Sequence, residues 1–273
     1  MPPKLAVLAG TGPLPGQVIG AARGAGREVF VLAFEGETDP ALVADLPHRW
    51  VPLGAVGQAF KALHDFGAEE VCMIGPVRRP NLKRLKLDWR GVQLMAKLGL
   101  RGQGDDQIFK VIVAELEREG FRVVGADDIM GSLVAGEGPM THARPDPMAE
   151  GDIELGFRVA RCLGELDVGQ AVVVQHGLVL GVEAVEGTDG LLRRCAEIRR
   201  EGPGGVLVKV KKPRQERRAD LPTIGPETVR LAAAAGLSGI AVHAGNCLII
   251  QQAETIEAAD RAGLFVVGVP GPE

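Results

Sequence analysis

Short apolar runs alternate along this chain with stretches of helical rhythm, and the alternation predicts strands and helices in turn. Leu5–Ala9 is the first run, and it stops at a glycine turn, Gly10-Thr11-Gly12-Pro13-Leu14-Pro15-Gly16. Val18, Ile19 and Ala22 then recur at helical spacing up to about Gly24, and Val29–Ala33 is a second apolar run. Strand, glycine turn, helix and strand within ~30 residues make a βαβ unit, so these strands lie parallel. Helix is expected again over Ala59–Phe66 and strand over Glu70–Ile74. Behind Gly104-Asp105-Asp106, the spacing of Ile108, Val111, Ile112 and Leu116 predicts a helix, and Phe121–Val124 closes the first half as a strand.

From Gly131 to Ala149 the rhythm fails and Gly and Pro interrupt the chain, which marks an interdomain linker. Helical spacing returns at Ile153, Phe157, Val159, Ala160 and Leu163, with Asp152 as the expected cap. Gln170–Gln175 and Leu178–Glu183 flank His176-Gly177 as a β-hairpin. Helices are then expected through Leu191, Leu192, Cys195 and Ile198, over Pro226–Ala235 and over Glu254–Ala262. Apolar runs at Val206–Val208, Gly239–His243, Cys247–Ile250 and Phe265–Gly268 lie between and after them. The second half is therefore α/β as well, with a hairpin inserted.

Composition narrows the class. A chain of 273 residues, 46% of them apolar, fits one large domain or two ordinary ones and buries a real core, which argues against disorder. Net charge is −4, with basic residues gathered at 78–90 and 209–218, so local anion sites are favoured over a broad nucleic-acid face. There is no Tyr and there are only two Trp, too few aromatics for base-stacking platforms. Cys72, Cys162, Cys195 and Cys247 form no C-x-x-C pair, which excludes zinc-site spacing and suggests reduced thiols in a cytoplasmic protein. No apolar stretch approaches the ~20 residues of a membrane span, and the N-terminus lacks a signal-peptide layout.

The richest chemistry follows Val206–Val208, which runs into Lys209, Lys211, Lys212, Arg214, Arg217 and Arg218, with Asp220 just before Leu221-Pro222. Pro213 and Pro222 oppose helix, so a strand end opening into an ordered loop is expected. Such cations suit a phosphate ester, and an Asp among them is held ionised, ready to hold a metal or position water. The plainer alternative is a solvated basic loop. The Gly10 turn offers backbone N–H groups at a helix N-terminus. Its G-x-G-x-x-x-G spacing misses the dinucleotide fingerprint, although Glu35 stands where a ribose-binding acid would, and no P-loop pattern occurs. Gly75-Pro76-Val77-Arg78-Arg79-Pro80-Asn81 is a second glycine-containing, basic loop at a strand end, where ligands of open α/β sheets gather. One of Asp105 and Asp106 is expected to cap a helix, which leaves the other open to a ligand. Glu183, Glu186, Thr188 and Asp189 allow two readings: helix capping by Thr188 or Asp189, or oxygen ligands for a hard cation such as Mg²⁺ riding on substrate phosphates. His142 and His176 are expected in exposed or turn positions, and His243 at a strand end is a weaker site candidate.

Taken together, several motifs resemble the LpxI-type UDP-2,3-diacylglucosamine pyrophosphatases over nearly the whole chain. They are Ala9–Pro15 (AGTGPLP), Ile74–Leu82 (IGPVRRPNL), Gly104–Asp106 (GDD), Leu166–Val174 (LDVGQAVVV), Val182–Asp189 (VEAVEGTD) and Val208–Thr228 (VKVKKPRQERRADLPTIGPET). The last two are specific. Glu216 departs from the family's Asp and His243 from an expected acid, which weakens any metal role at those positions. The resemblance implies two α/β domains around the substrate: a Rossmann-like parallel sheet in 1–130, a linker in 131–149 and a mixed-sheet domain in 150–273. It also implies Mg²⁺-dependent hydrolysis of UDP-2,3-diacylglucosamine to UMP and 2,3-diacylglucosamine 1-phosphate in lipid A biosynthesis, by water attack on the lipid-side phosphorus. The family's essential aspartate maps to Asp220, and the residues' own chemistry adds Glu186 or Asp189 to hold the metal or the water, so Asp220, Asp189 and Glu186 are the expected catalytic residues and Asp220 and Asp189 the expected metal ligands. Substrate binding is expected from Gly10, Thr11, Gly12, Leu14, Gly75, Arg78, Asp106, Gln170, Thr188, Lys209, Lys212, Gln215 and Arg218. The partners expected are the glycolipid nucleotide, a second copy in a homodimer and, transiently, the inner membrane surface, but no nucleic acid. The competing class is a non-catalytic nucleotide- or glycolipid-binding regulatory module, and a nicotinamide-dependent oxidoreductase is a third.

Overall fold

The computed structural model of the protein describes residues 1–78, 85–99 and 105–271. The chain divides into two compact units, Met1–Gly131 with Glu216–Asp220, and Ser132–Gln215 with the chain from Leu221 onward.

The first unit runs β1 (Leu5–Ala9), α1 (Leu14–Gly24), β2 (Val29–Phe34), α2 (Pro40–Val43), β3 (His48–Val51), α3 (Val56–Phe66), β4 (Glu70–Ile74), α4 (Trp89–Leu98), α5 (Asp105–Arg118), β5 (Arg122–Val123) and α6 (Ala126–Ile129). Its strands pair in parallel in the order β3-β2-β1-β4-β5. Leu5, Val7, Val31, Leu32, Val71 and Cys72 are fully buried, as a sheet covered on both faces requires. Strand order reverses at β1, so the turn that leaves β1 opens at the topological switch point, the usual ligand position of such sheets. The parallel Rossmann-like sheet is as expected. β3 was not foreseen: it is an edge strand in which only Val51 is buried, so His48-Arg49-Trp50 carries no apolar run.

The second unit runs β6 (Gly138–Pro139), α7 (Pro147–Glu165), β7 (Ala171–Gln175), β8 (Leu178–Val182), α8 (Gly187–Ile198), β9 (Val206–Lys209), β10 (Thr223–Ile224), α9 (Pro226–Ala234), β11 (Gly239–His243), β12 (Leu248–Ile249), α10 (Gln252–Arg261) and β13 (Phe265–Val269). The main sheet is mixed, in the order β6-β13-β11-β9-β7-β8, and β10 pairs with β12 apart from it. β9, β11 and β13 are parallel, while β6, β7 and β8 run antiparallel to their neighbours. Alternate residues point to opposite faces. Val173, Leu207, Ile240 and Val266 pack with Leu191, Leu192, Val229 and Ala259 of α8, α9 and α10. Val172, Val174, Val208 and Ala241 pack with Ile153, Phe157 and Ala160 of α7. Close approach of α7 needs Gly156, where a Cβ would lie 2.4 Å from the Val208 side chain.

The segment 131–149 is not a free linker. Ala135 N–H donates to the Cys247 carbonyl (2.8 Å), Met140 N–H to Val266 O (2.9 Å), and Thr141 Oγ1 accepts from Val266 N–H (2.8 Å). β6 thereby extends the sheet, and the second unit begins at Ser132. Asp146, not Asp152, caps α7 by accepting from Ala149 N–H (2.8 Å). Asp152 lies inside the helix, and its carboxylate accepts from His176 N–H (2.9 Å) and Gly177 N–H (2.7 Å). Both turn residues have left-handed φ, +52° and +74°, as a two-residue hairpin of this hand demands. Among the described residues no helix is long and apolar enough to cross a membrane.

Candidate active site

β1 and β4 are neighbours, so the glycine turns that end them meet. Gly10 N–H donates to Ile74 O (2.8 Å), while Thr11 N–H and Oγ1 both donate to Pro76 O (2.9 and 3.0 Å). A Cβ on Gly10 would lie 2.2 Å from the Gly75 carbonyl oxygen, so only glycine allows the contact. α1 starts directly afterwards at Leu14, with Pro13 before it and no side-chain cap, which leaves a partial positive end at the switch point. Arg78 is turned back by Glu37 (Nε 3.1 Å) and by the Gly36 carbonyl (2.7 Å). Gly10, Thr11, Gly12, Leu14, Gly75 and Arg78 thus lie beyond the carboxyl ends of the neighbouring strands β1 and β4. Arg79, Pro80, Asn81, Leu82 and Gly104 lie outside the described residues.

Five residues of the cationic motif, Glu216–Asp220, fold with this first unit. Asp106 does not cap α5 but ties that segment down: Oδ1 accepts from Glu216 N–H (3.0 Å) while Oδ2 takes Lys110 (2.6 Å). Arg217 pairs with Asp127 (2.9 Å), and Ala219 packs on the apolar cluster around Phe60 and Phe121. Ala219 N–H and Asp220 N–H both return to Glu216 O (3.0 and 3.0 Å), so Asp220 leaves a closed turn. Arg218 lies between carboxylates, donating from Nε and Nη2 to Glu216 (2.9 and 3.1 Å) and from Nη1 to Glu117 (2.5 Å). The hydrogen bonds from Arg218 hold the Glu216 carboxyl below its usual range, and Glu216 in turn stabilises the protonated guanidinium. Arg218, expected as a phosphate clamp, is matched by acids in this conformation.

In the second unit Lys209, expected as a phosphate clamp, ends β9. It is 7% exposed, and its ammonium donates to Thr188 Oγ1 (2.9 Å) and Thr223 O (2.8 Å). Thr188 Oγ1 donates onward to Glu183 Oε1 (2.6 Å), and Glu183 Oε2 accepts from Gln170 N–H (2.9 Å). This chain pins the ends of β7, β8 and β9 to the first turn of α8. Thr188 and Asp189 therefore lie within α8 and do not cap it; Glu186 is its N-cap residue and pairs with Arg194 (2.6 Å). Gln215 closes the Lys212–Gln215 turn by accepting from Lys212 N–H (3.0 Å) and donates to Gln170 Oε1 (3.2 Å). Lys212 Nζ pairs with Asp167 (2.6 Å). Glu183 and Asp167 were missed as partners. Asp167 has left-handed φ (+55°), a conformation that an Asp ahead of Val-Gly hints at only weakly.

Among the described residues, no group of three or more His, Cys, Asp and Glu could hold a metal ion. Asp220 belongs to the first unit, and Glu186 and Asp189 to the second.

Fold and loops define a class: α/β proteins of two units, one Rossmann-like with a glycine turn at its switch point, one mixed, with conjoined acid and cation motifs at strand ends. Within it, this chain belongs to the LpxI family. The model of the LpxI N-terminal domain matches residues 4–140 and that of the LpxI C-terminal domain residues 136–267. The chain is similar to the UDP-2,3-diacylglucosamine pyrophosphatase LpxI of Caulobacter vibrioides, at 42% identity over 277 residues and 99% of each chain.

Proposed function

We propose that this protein hydrolyses the pyrophosphate bond of UDP-2,3-diacylglucosamine, giving UMP and 2,3-diacylglucosamine 1-phosphate. The observation that carries the reading is full-length identity of 42% to a relative named for acting on that molecule. The specific VEAVEGTD and KPRQERRADLP motifs of the sequence support it. Asp220 is the residue proposed to hold or orient the attacking water, since it leaves a turn fixed by Asp106, Asp127 and Ala219. Mg²⁺ is commonly held by one or two carboxylates together with water and substrate phosphates. Asp220 would hold that ion, which when bound neutralises charge growing on the phosphates. The uncapped start of α1 offers backbone donors to an anion.

The test is UMP release from micellar substrate. Asp220→Asn, folded by circular dichroism, is expected to lower turnover by on the order of 10²–10³-fold, and a chelator to stop it until Mg²⁺ is restored. Normal turnover by the variant removes Asp220 from the mechanism, and chelator-insensitive turnover removes the metal. Nucleotide binding without product would favour a regulatory module. Asp189→Ala and Glu186→Gln in the same assay decide whether either acid is catalytic. We also infer a homodimer and transient membrane contact, the first because isologous pairing is the common default and the second because a diacyl substrate resides in a bilayer. Sedimentation, with and without phospholipid vesicles, reads both.

A further inference from the structure

The outward face of α4 is apolar where an exposed helix face is ordinarily polar. Gly91 and Leu98 are buried on the inward side, and a Cβ on Gly91 would lie 2.1 Å from the Gly54 carbonyl oxygen, so that side is pressed onto the turn before α3. Trp89, Val92 and Ala96, at i, i+3 and i+7, share the opposite side with Gln93. Trp89 is 75% exposed and Val92 46%. Single exposed apolar side chains are ordinary, but a tryptophan and a valine one turn apart on the outer stripe of a helix make a patch. Asp88 fixes the start of that helix by accepting from Gly91 N–H (2.8 Å) and Gly57 N–H (2.7 Å). Arg90 lies over the Phe60 ring (5.4 Å) and pairs with Glu119 (2.5 Å), and Lys97 pairs with Glu115 (2.5 Å), so both charges are met within the unit. Ahead of the cap, Leu85 and Leu87 turn toward Gly54, where a Cβ would lie 3.7 and 2.9 Å from their methyl groups, and Lys86 between them is exposed. Lys86 belongs to a basic run, 78–90, in which Asp88 is the one acid.

We propose that the outer stripe of α4, with Lys86 ahead of it, docks on the surface of a bilayer that carries anionic phospholipid. Tryptophan is the side chain that settles at a membrane–water interface, its ring in the acyl boundary and its N–H among the headgroups. A short apolar stripe entered from a basic stretch is the pattern of a helix that lies in that interface, and its positive charge complements anionic headgroups. Among the described residues no helix can span a bilayer, so helical attachment is of this interfacial kind. The choice of a bilayer as occupant rests on the proposed hydrolysis, whose substrate carries two acyl chains; the stripe itself does not.

The test is flotation of the full chain with mixed phosphatidylethanolamine–phosphatidylglycerol vesicles, against vesicles of phosphatidylcholine alone. Binding is expected on the anionic vesicles and to fall with added salt. Trp89→Ala and Lys86→Glu are each expected to weaken it about tenfold or more, the value of one large buried apolar side chain or of one reversed charge at such a surface. Both positions are exposed, so neither substitution removes core packing. Trp50 and Trp89 are the two tryptophans, so in Trp50→Phe the emission reports Trp89 alone. That emission is expected to shift to the blue on anionic vesicles and to be quenched by brominated acyl chains; if the variant does not fold, the difference between parent and Trp89→Ala spectra gives the same reading. UMP release from micellar substrate is expected to be unchanged in Trp89→Ala. Absence of flotation, equal flotation on both vesicles or by the folded variants, or emission indifferent to lipid would overturn the proposal. So would a blue shift on concentrating the protein without lipid, which would make the stripe a contact between copies, or loss of micellar turnover in Trp89→Ala with flotation kept, which would assign Trp89 to the substrate. Flotation of a parent that releases no UMP would sink the proposed hydrolysis and leave the docking surface standing.

Discussion

Lys209 ends β9 with its ammonium on the hydroxyl of Thr188, and that hydroxyl hands its own hydrogen to Glu183. One oxygen atom thus joins two buried charges, each 7% exposed. Replacing it by a methyl group keeps the shape and leaves both charges short of a partner, which costs far more than an exposed ion pair would. Thr188→Val is therefore expected to destabilise the protein by about 2–4 kcal/mol, with Thr188→Ser close to the parent, read from urea midpoints at pH 7. A neutral Thr188→Val would mean that the chain contributes no stability. The sequence placed Lys209 among phosphate clamps because it opens a run of cations. Which way a side chain points at a strand end depends on what α8 brings opposite it, and a charge run carries no record of that.

At the scale of elements, the buried strands were legible because a sheet covered on both faces spells near-continuous apolar runs: β1, β2, β4, β7, β9, β11 and β13 all do. Edges were not. β3 buries only Val51, and β6 is two residues held by main-chain bonds, so neither has a pattern to read. The start of α7 was misplaced because two aspartates, Asp146 and Asp152, compete as caps and only the structure shows that the second serves the β7–β8 turn. That service makes a prediction. Asp152 is 2% exposed and accepts from two adjacent backbone N–H groups, His176 and Gly177. Asn has a single acceptor oxygen and turns an N–H group toward the second donor. Asp152→Asn is expected to cost roughly 1.5–3 kcal/mol and to abolish hydrogen-exchange protection of the two turn amides while β9 stays protected. Unchanged protection at His176 and Gly177 would refute the assignment.

For the whole molecule, the motif around Asp220 shows the limit of reading along the chain. Its two halves are contiguous in sequence, yet Glu216–Asp220 fold with the first unit and the residues on either side with the second. No periodicity marks that excursion, because it is set by Asp106, Asp127 and Glu117, which lie 110, 90 and 101 residues before their partners, far outside the window of roughly 11–18 residues in which a local pattern is read. Buried thiols lie in both units, Cys72 in the first and Cys195 and Cys247 in the second, and each lowers stability at alkaline pH. Burial pushes Cys72 in the first unit and Cys247 in the second up to about 12 from an ordinary value of 9.0. Below pH ~9 both states keep these protons and the thiols leave stability independent of pH. Between ~9 and ~12 the unfolded chain has released protons that the native state retains, so stability falls as pH rises, by ~1.4 kcal/mol per pH unit for each thiol. Urea titrations from pH 8 to 11 should show that decline begin near 9. Cys72→Ala with Cys247→Ala should shift the onset upward and flatten the slope by about twice the single-thiol value. An unaltered slope in the double variant would assign the alkaline transition to other groups.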